Sequence, residues 1–122
     1  MTAVEKDPAA LLEHALRLGT GFRPEDRTRV LDVLRSLARH LAGWRQEQVT
    51  VEVRVKDRDR PEQKVTLEAR LAGWPTFVAT AAHPDLDHAL VEARQDLIRH
   101  VEEEKTRRDP RRTRNGPPVR PR

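Results

Sequence analysis

Histidines, a single serine and many arginines are the residues through which this chain can do chemistry. His14, His40, His83, His88 and His100 are potential metal ligands or proton carriers, yet none stands at a recognised ligand spacing. His83 and His88 are five apart across a helix start, with no supporting cysteine. Ser36 is the only serine; Asp32 and His40 lie four residues to either side and share its helix face, so a triad can be drawn. Acyl transfer also needs an exposed elbow and an oxyanion hole, and neither is hinted at. Gly19-Thr20-Gly21 lacks the lysine and the serine or threonine of a phosphate loop and reads as a turn. Asp57 and Asp59 sit in a loop rich in arginine, which is expected to neutralise them locally. Cysteine is absent, which excludes disulfides, thiolate zinc sites and cysteine nucleophiles together. We therefore expect no enzyme, no metal, no cofactor and no small-molecule substrate.

The remaining chemistry is cationic. Arg27, Arg35 and Arg39 recur at helical spacing, and with Arg29 and Arg45 they put five arginines against Asp32 in residues 27–45. Arg99 and Lys105 follow in a later helix. Residues 106–122 then carry Arg107, Arg108, Arg111, Arg112, Arg114, Arg120 and Arg122 against Asp109 alone. The formal net charge of +4 thus conceals a slightly acidic body with a basic tail. Such clusters grip phosphate backbones, releasing counterions and making affinity salt-dependent. The plainer alternatives are a solvated helix face, whose long side chains cover apolar flanks, and a solubilising tail without a target. Aromatic residues make up only 3%, which argues against stacking single-stranded bases but not against structured RNA, read by shape and backbone. Trp44 and Trp74 each follow a glycine at an element end, and we expect them to plug the edge of the core.

The elements that must position these residues are legible from periodicity. Arg23-Pro24-Glu25-Asp26 opens a helix whose Val30, Val33, Leu34, Leu37, Ala38 and Leu41 recur at three- and four-residue spacing, and Gly43 stops it. His83-Pro84-Asp85 opens another, striped by Leu86, Ala89, Leu90, Ala93, Leu97 and Val101 and running to about residue 107. Between them Val49, Val51, Val53 and Val55 alternate with polar residues, as do Val65, Leu67, Ala69 and Leu71, and a third run covers residues 76–81. Period-two alternation buries one sheet face and leaves the other to water or a partner. Residues 8–16 have helix composition, while Leu16-Arg17-Leu18 suits a short strand; we favour a strand near 14–19. The expected architecture is α+β: β-α-β-β-β-α, two helices on one face of a four-stranded, mainly antiparallel sheet. Residues 1–13 are expected as a flexible lead, 14–107 as the folded domain and 108–122 as a disordered Arg/Pro-rich tail. No run approaches the roughly 20 apolar residues of a membrane helix. Residues 1–8 lack the basic start and apolar core of a secretory signal, so a cytoplasmic location is expected.

This order resembles the ribosome hibernation promoting factors, or ribosome-associated inhibitors, over residues 14–107. The resemblance is carried by Phe77-Val78-Ala79-Thr80-Ala81, Asp85-Leu86-Asp87-His88-Ala89-Leu90 and Leu97-Ile98-Arg99-His100-Val101, with Lys105. Leu34, Leu37, Arg39 and His40 look like the family's first helix, and residues 49–53 like the strand after it. It implies a protein, monomeric when free, that docks on small-subunit rRNA and blocks the mRNA and tRNA channel in stress. Longer members of the family carry a second, ribosome-pairing domain, and pairing through it is not expected of this chain. Arg99, Lys105 and Arg107 fall on basic family positions, whereas Val33, Ser36, Asp96 and Glu103 stand where basic residues are common. The expected RNA-contacting set is Arg27, Arg35, Arg39, Arg99, Lys105, Arg107, Arg108, Arg111, Arg112 and Arg114. A protein-interaction module using the polar sheet face or an edge strand, and a general double-stranded-RNA binder, are the competing readings.

Overall fold

A computed structural model of the protein describes residues 8–108. The elements are α1 (Pro8–Ala15), β1 (Leu16–Leu18), α2 (Arg27–Ala38), β2 (Val49–Lys56), β3 (Lys64–Leu71), β4 (Phe77–Ala82) and α3 (Leu86–Arg108), with short 3₁₀ turns before and after α2 and before β2. The sheet order is β1-β2-β3-β4; β1 runs parallel to β2 and the other pairs are antiparallel. This is the expected α+β architecture.

Alternation built the sheet. Val49, Val51, Val53 and Val55 are buried, as are Val65, Leu67, Ala69 and Leu71, and Phe77 and Ala79 continue the same face. The helices cover it. Val30, Leu34, Leu37 and Ala38 of α2 and the whole expected stripe of α3 join them in one core. Each fully buried leucine or valine there contributes about 1.5–3 kcal/mol. Val33 is only half-buried, and its carbonyl instead accepts a 2.7 Å hydrogen bond from Arg94 across the helix pair.

The start of the fold corrects the expectation. Residues 8–13 are not a flexible lead but most of α1, a third helix, with Leu11 and Leu12 buried in the common core. Both signals in residues 8–18 were real and act in succession: helix to Ala15, then strand from Leu16. Parallel pairing of Leu16 with Val51 and Leu18 with Val53 adds this strand to the sheet. The Gly19-Thr20-Gly21 turn then presses against β2. Gly21 has φ +88°, and a Cβ there would lie 2.3 Å from the Val55 carbonyl oxygen. Only glycine fits so close a left-handed turn. The other end also shifts by one residue, because α3 continues through Arg108. Arg111, Arg112 and Arg114, with the rest of the expected tail, lie outside the described residues.

Candidate nucleic-acid interface

The helix layer holds most of the cations that the sequence singles out, and the structure has already given nearly all of them partners. Arg27 donates to the Leu16 carbonyl at 3.1 Å and to the Glu13 carbonyl, tying α2 to the end of α1 and the start of β1. Arg35 pairs with Asp32 at 2.8 Å, beside a shallow groove of about 530 Å³ between α1 and α2. Arg29 reaches Asp87 at the start of α3, 2.7 Å away. On α3, Arg99 pairs with Asp96 and approaches Glu103 at 4.0 Å, and Arg107 pairs with Glu104.

At the C-terminal end of α3 the contacts form a connected cluster. Lys105 donates to the His40 carbonyl at 2.7 Å and to Glu102 at 3.2 Å, and His40 Nδ1 lies 2.7 Å from the same carboxylate. Burial opposes ionisation of Glu102, but the hydrogen bonds from His40 and Lys105 outweigh it and hold its pKa below the ordinary value. Arg108 is the last helical residue rather than the first of a tail. It bonds Glu104 at 2.6 Å, and its guanidinium lies 4.6 Å from the centroid of Trp74. The Arg108 hydrogen bond leads the causes that lower the Glu104 pKa. Trp44 and Trp74 meet edge to face at 4.8 Å, half-buried against the core. They close one end of the core, as expected. Asp96, Glu102, Glu103 and Glu104 equal Arg99, Lys105, Arg107 and Arg108 in number, with Glu104 shared by Arg107 and Arg108, so this end of α3 carries no net charge.

The imagined triad is not assembled. Asp32 is spent on Arg35 and His40 on Glu102, so Ser36 has neither as a partner. His83 and His88 stack with centroids 4.3 Å apart, and His83 Nδ1 accepts from the Asp85 amide. Among the described residues no group of three or more histidines, aspartates or glutamates could hold a metal ion.

The uncovered face of the sheet is the opposite case. Register places its side chains in rows. Arg17, Glu52, Glu68 and Val78 form one, Arg54, Thr66 and Thr80 the next, and Lys56, Lys64 and Ala82 the last. Glu52 and Glu68 face each other as like charges, and two arginines neutralise them. Arg54 lies 3.1 Å from Glu52 and 3.3 Å from Glu68; Arg70 lies 2.8 Å from Glu68 and 3.8 Å from Glu52. Among the described residues no acid on this face is left for Arg17, Lys56 or Lys64.

Among the described residues the side chains of five cations make no hydrogen bond or ion pair: Arg17, Arg39, Lys56, Arg60 and Lys64. Of the seven expected contact residues that the structure describes, Arg39 alone is in this group. The others lie on the sheet's open face or in the hairpin beyond it. Sequence reasoning missed them, although the alternation that buries the valines also displays Lys56 and Lys64 on the opposite face.

The hairpin is held rigidly. Arg58 and Asp26 bond bidentately at 2.8 and 3.0 Å, Arg58 also donates to the Gly21 carbonyl at 2.9 Å, and both side chains are more than four-fifths buried. The Arg58 hydrogen bond, then the Arg23 amide, holds the Asp26 carboxyl far below the usual carboxylate range. Gln63, buried to 1% exposure, donates to the His83 and Pro84 carbonyls and accepts from the Asp59 amide. The strand ends carrying Lys56 and Lys64 are thus fixed from both sides.

No protein-family model matches the chain, and no curated protein does. Among solved structures, a ribosomal subunit interface protein from Coxiella burnetii is similar, with 12% identity, a TM-score of 0.49, and coverage of 75% of this chain and 98% of that one. No helix among the described residues is long and apolar enough to cross a membrane.

Proposed function

We propose that this protein is a non-catalytic, cytoplasmic RNA-binding factor that docks as a monomer on the small ribosomal subunit. Its action is occlusion: a folded wedge settles on rRNA and keeps mRNA and tRNA from their channel, as suits idle or stressed cells. No bond is made or broken, and no cofactor takes part. The observation that carries the reading is the set of cations without internal partners, displayed on a rigid α+β domain whose element order and helix residues resemble the ribosome hibernation factors. An unpaired surface cation loses no ion pair when it meets a phosphate, and the released counterions favour the complex. The scarcity of aromatic residues suits folded RNA, recognised by backbone and shape.

The test is sedimentation of the purified protein with purified small subunits at low and high salt. We expect co-migration in dilute buffer and release as salt rises. Protein left at the top of the gradient even at low salt overturns the reading. Equal affinity for a bare RNA duplex and for subunits would replace it with that of a general double-stranded-RNA binder.

A further inference from the structure

We infer that the phosphate contacts are made by the open face of the sheet, centred on Lys56 and Lys64, and not by the helix layer. This rests on the reading of the protein as an RNA-binding factor and names the surface that does the binding. Lys56 and Lys64 are directly opposed in the antiparallel β2–β3 pair, both exposed and both without a partner. Like charges directly opposite each other destabilise a sheet, so the pair is a local cost that an anion between the two ammonium groups removes. One row in, the Arg54, Thr66 and Thr80 row offers hydroxyl groups for phosphate oxygens. Farther along, Arg17 is unpaired, and Glu52 and Glu68 are already neutralised by Arg54 and Arg70, so no free carboxylate on the strands repels a backbone.

The face also has suitable reach and stiffness. Eight-residue strands extend about 26 Å, enough to touch several successive phosphates. The Arg58–Asp26 pair and the Gln63 bonds fix the hairpin end, so little ordering entropy remains to be lost on binding. Asp57, Asp59 and Glu62 of the connecting loop make no ion pair, contrary to the expected local neutralisation of Asp57 and Asp59, and they mark where the contact surface stops. The helix layer is worse placed. Pulling Arg99 or Arg107 onto a phosphate would leave Asp96 or Glu104 beside it.

The occupant is an RNA phosphate backbone. The double variant Lys56→Gln/Lys64→Gln tests it, compared with Arg35→Gln/Arg99→Gln, using both small ribosomal subunits and a 20-base-pair RNA duplex across a salt series. If two phosphate contacts are lost, the slope of log affinity against log salt for duplex RNA falls by about 1.8. We expect that drop, and at least a tenfold loss of subunit affinity, in the lysine variant. The arginine variant should stay within about threefold of the parent. A thermal midpoint that stays or rises in the lysine variant shows that the fold is intact, since a repulsion has been removed. Unchanged affinity and slope in the lysine variant, with the parent still binding, overturns the inference alone. A parent that binds duplex but not subunits overturns the ribosomal reading, and the lysine variant is then judged on duplex. A parent that binds neither overturns both.

Discussion

The helix side of the sheet holds more cations than the open side, and the two use them in opposite ways. On the helix side, arginines act as internal fasteners: Arg27 holds α1 and β1 to α2, Arg29 reaches α3, and Arg94 caps the Val33 carbonyl. On the open side, Arg54 and Arg70 cancel the Glu52 and Glu68 pair, and Arg17, Lys56 and Lys64 are left over. A count of basic residues ranks the helix side first. Counting those without partners reverses the order, because a cation that already holds a carboxylate brings that carboxylate to any phosphate it approaches.

That contrast can be broken at several points. The largest effect is expected at Asp26, where the Arg58 pair holds both the start of α2 and the β2–β3 hairpin. Asp26→Asn should cost about 2 kcal/mol at neutral pH, measured by urea unfolding. The sign with pH follows from the lowered pKa of Asp26 in the fold. Its contribution is complete above the unfolded value near 3.9 and drains away as pH falls toward the lower folded value. The parent should therefore lose stability as pH falls below about 4, and the variant should lose less over that range. Equal acid slopes in the two proteins would remove the pair from the account of the hairpin.

Arg27→Gln comes next. It leaves two carbonyls without their charged donor, and we expect a loss of about 1–2 kcal/mol with RNA affinity unchanged once the protein is folded. A drop in affinity without a drop in stability would restore Arg27 to the contact set. Arg108→Gln removes the guanidinium over Trp74 and should cost only about 0.5 kcal/mol at so exposed a site. A change in tryptophan fluorescence reports whether the contact exists in solution. Smallest is Lys56→Gln alone, where we expect stability unchanged or raised by a few tenths of a kcal/mol as the opposition to Lys64 disappears. A clear destabilisation would show that Lys56 has a structural partner after all.

The fold was largely legible because its signals are local. The valine alternation of residues 49–56 delimits β2, and the stripe from Leu86 to Val101 is the buried face of α3. Residues 8–18 were harder: a helix and a strand follow each other without a breaking residue, so each signal blurred the other. The candidate site was much less legible, because charge pairing is a tertiary property. Nothing near Arg29 in sequence announces Asp87, and nothing near His40 announces Glu102 or Lys105. Helical spacing showed that Arg27, Arg35 and Arg39 avoid the leucine stripe, but not that Arg27 would turn back onto the carbonyls of α1 and β1.

Lysine acylation read by mass spectrometry, with and without bound small subunits, addresses the unpaired sheet-face cations directly. Lys56 and Lys64 should react freely in the isolated protein and become shielded in the complex, whereas Lys105, already engaged with His40 and Glu102, should change little. Shielding of Lys105 while Lys56 and Lys64 stay reactive would place the RNA on the helix side and refute the assignment.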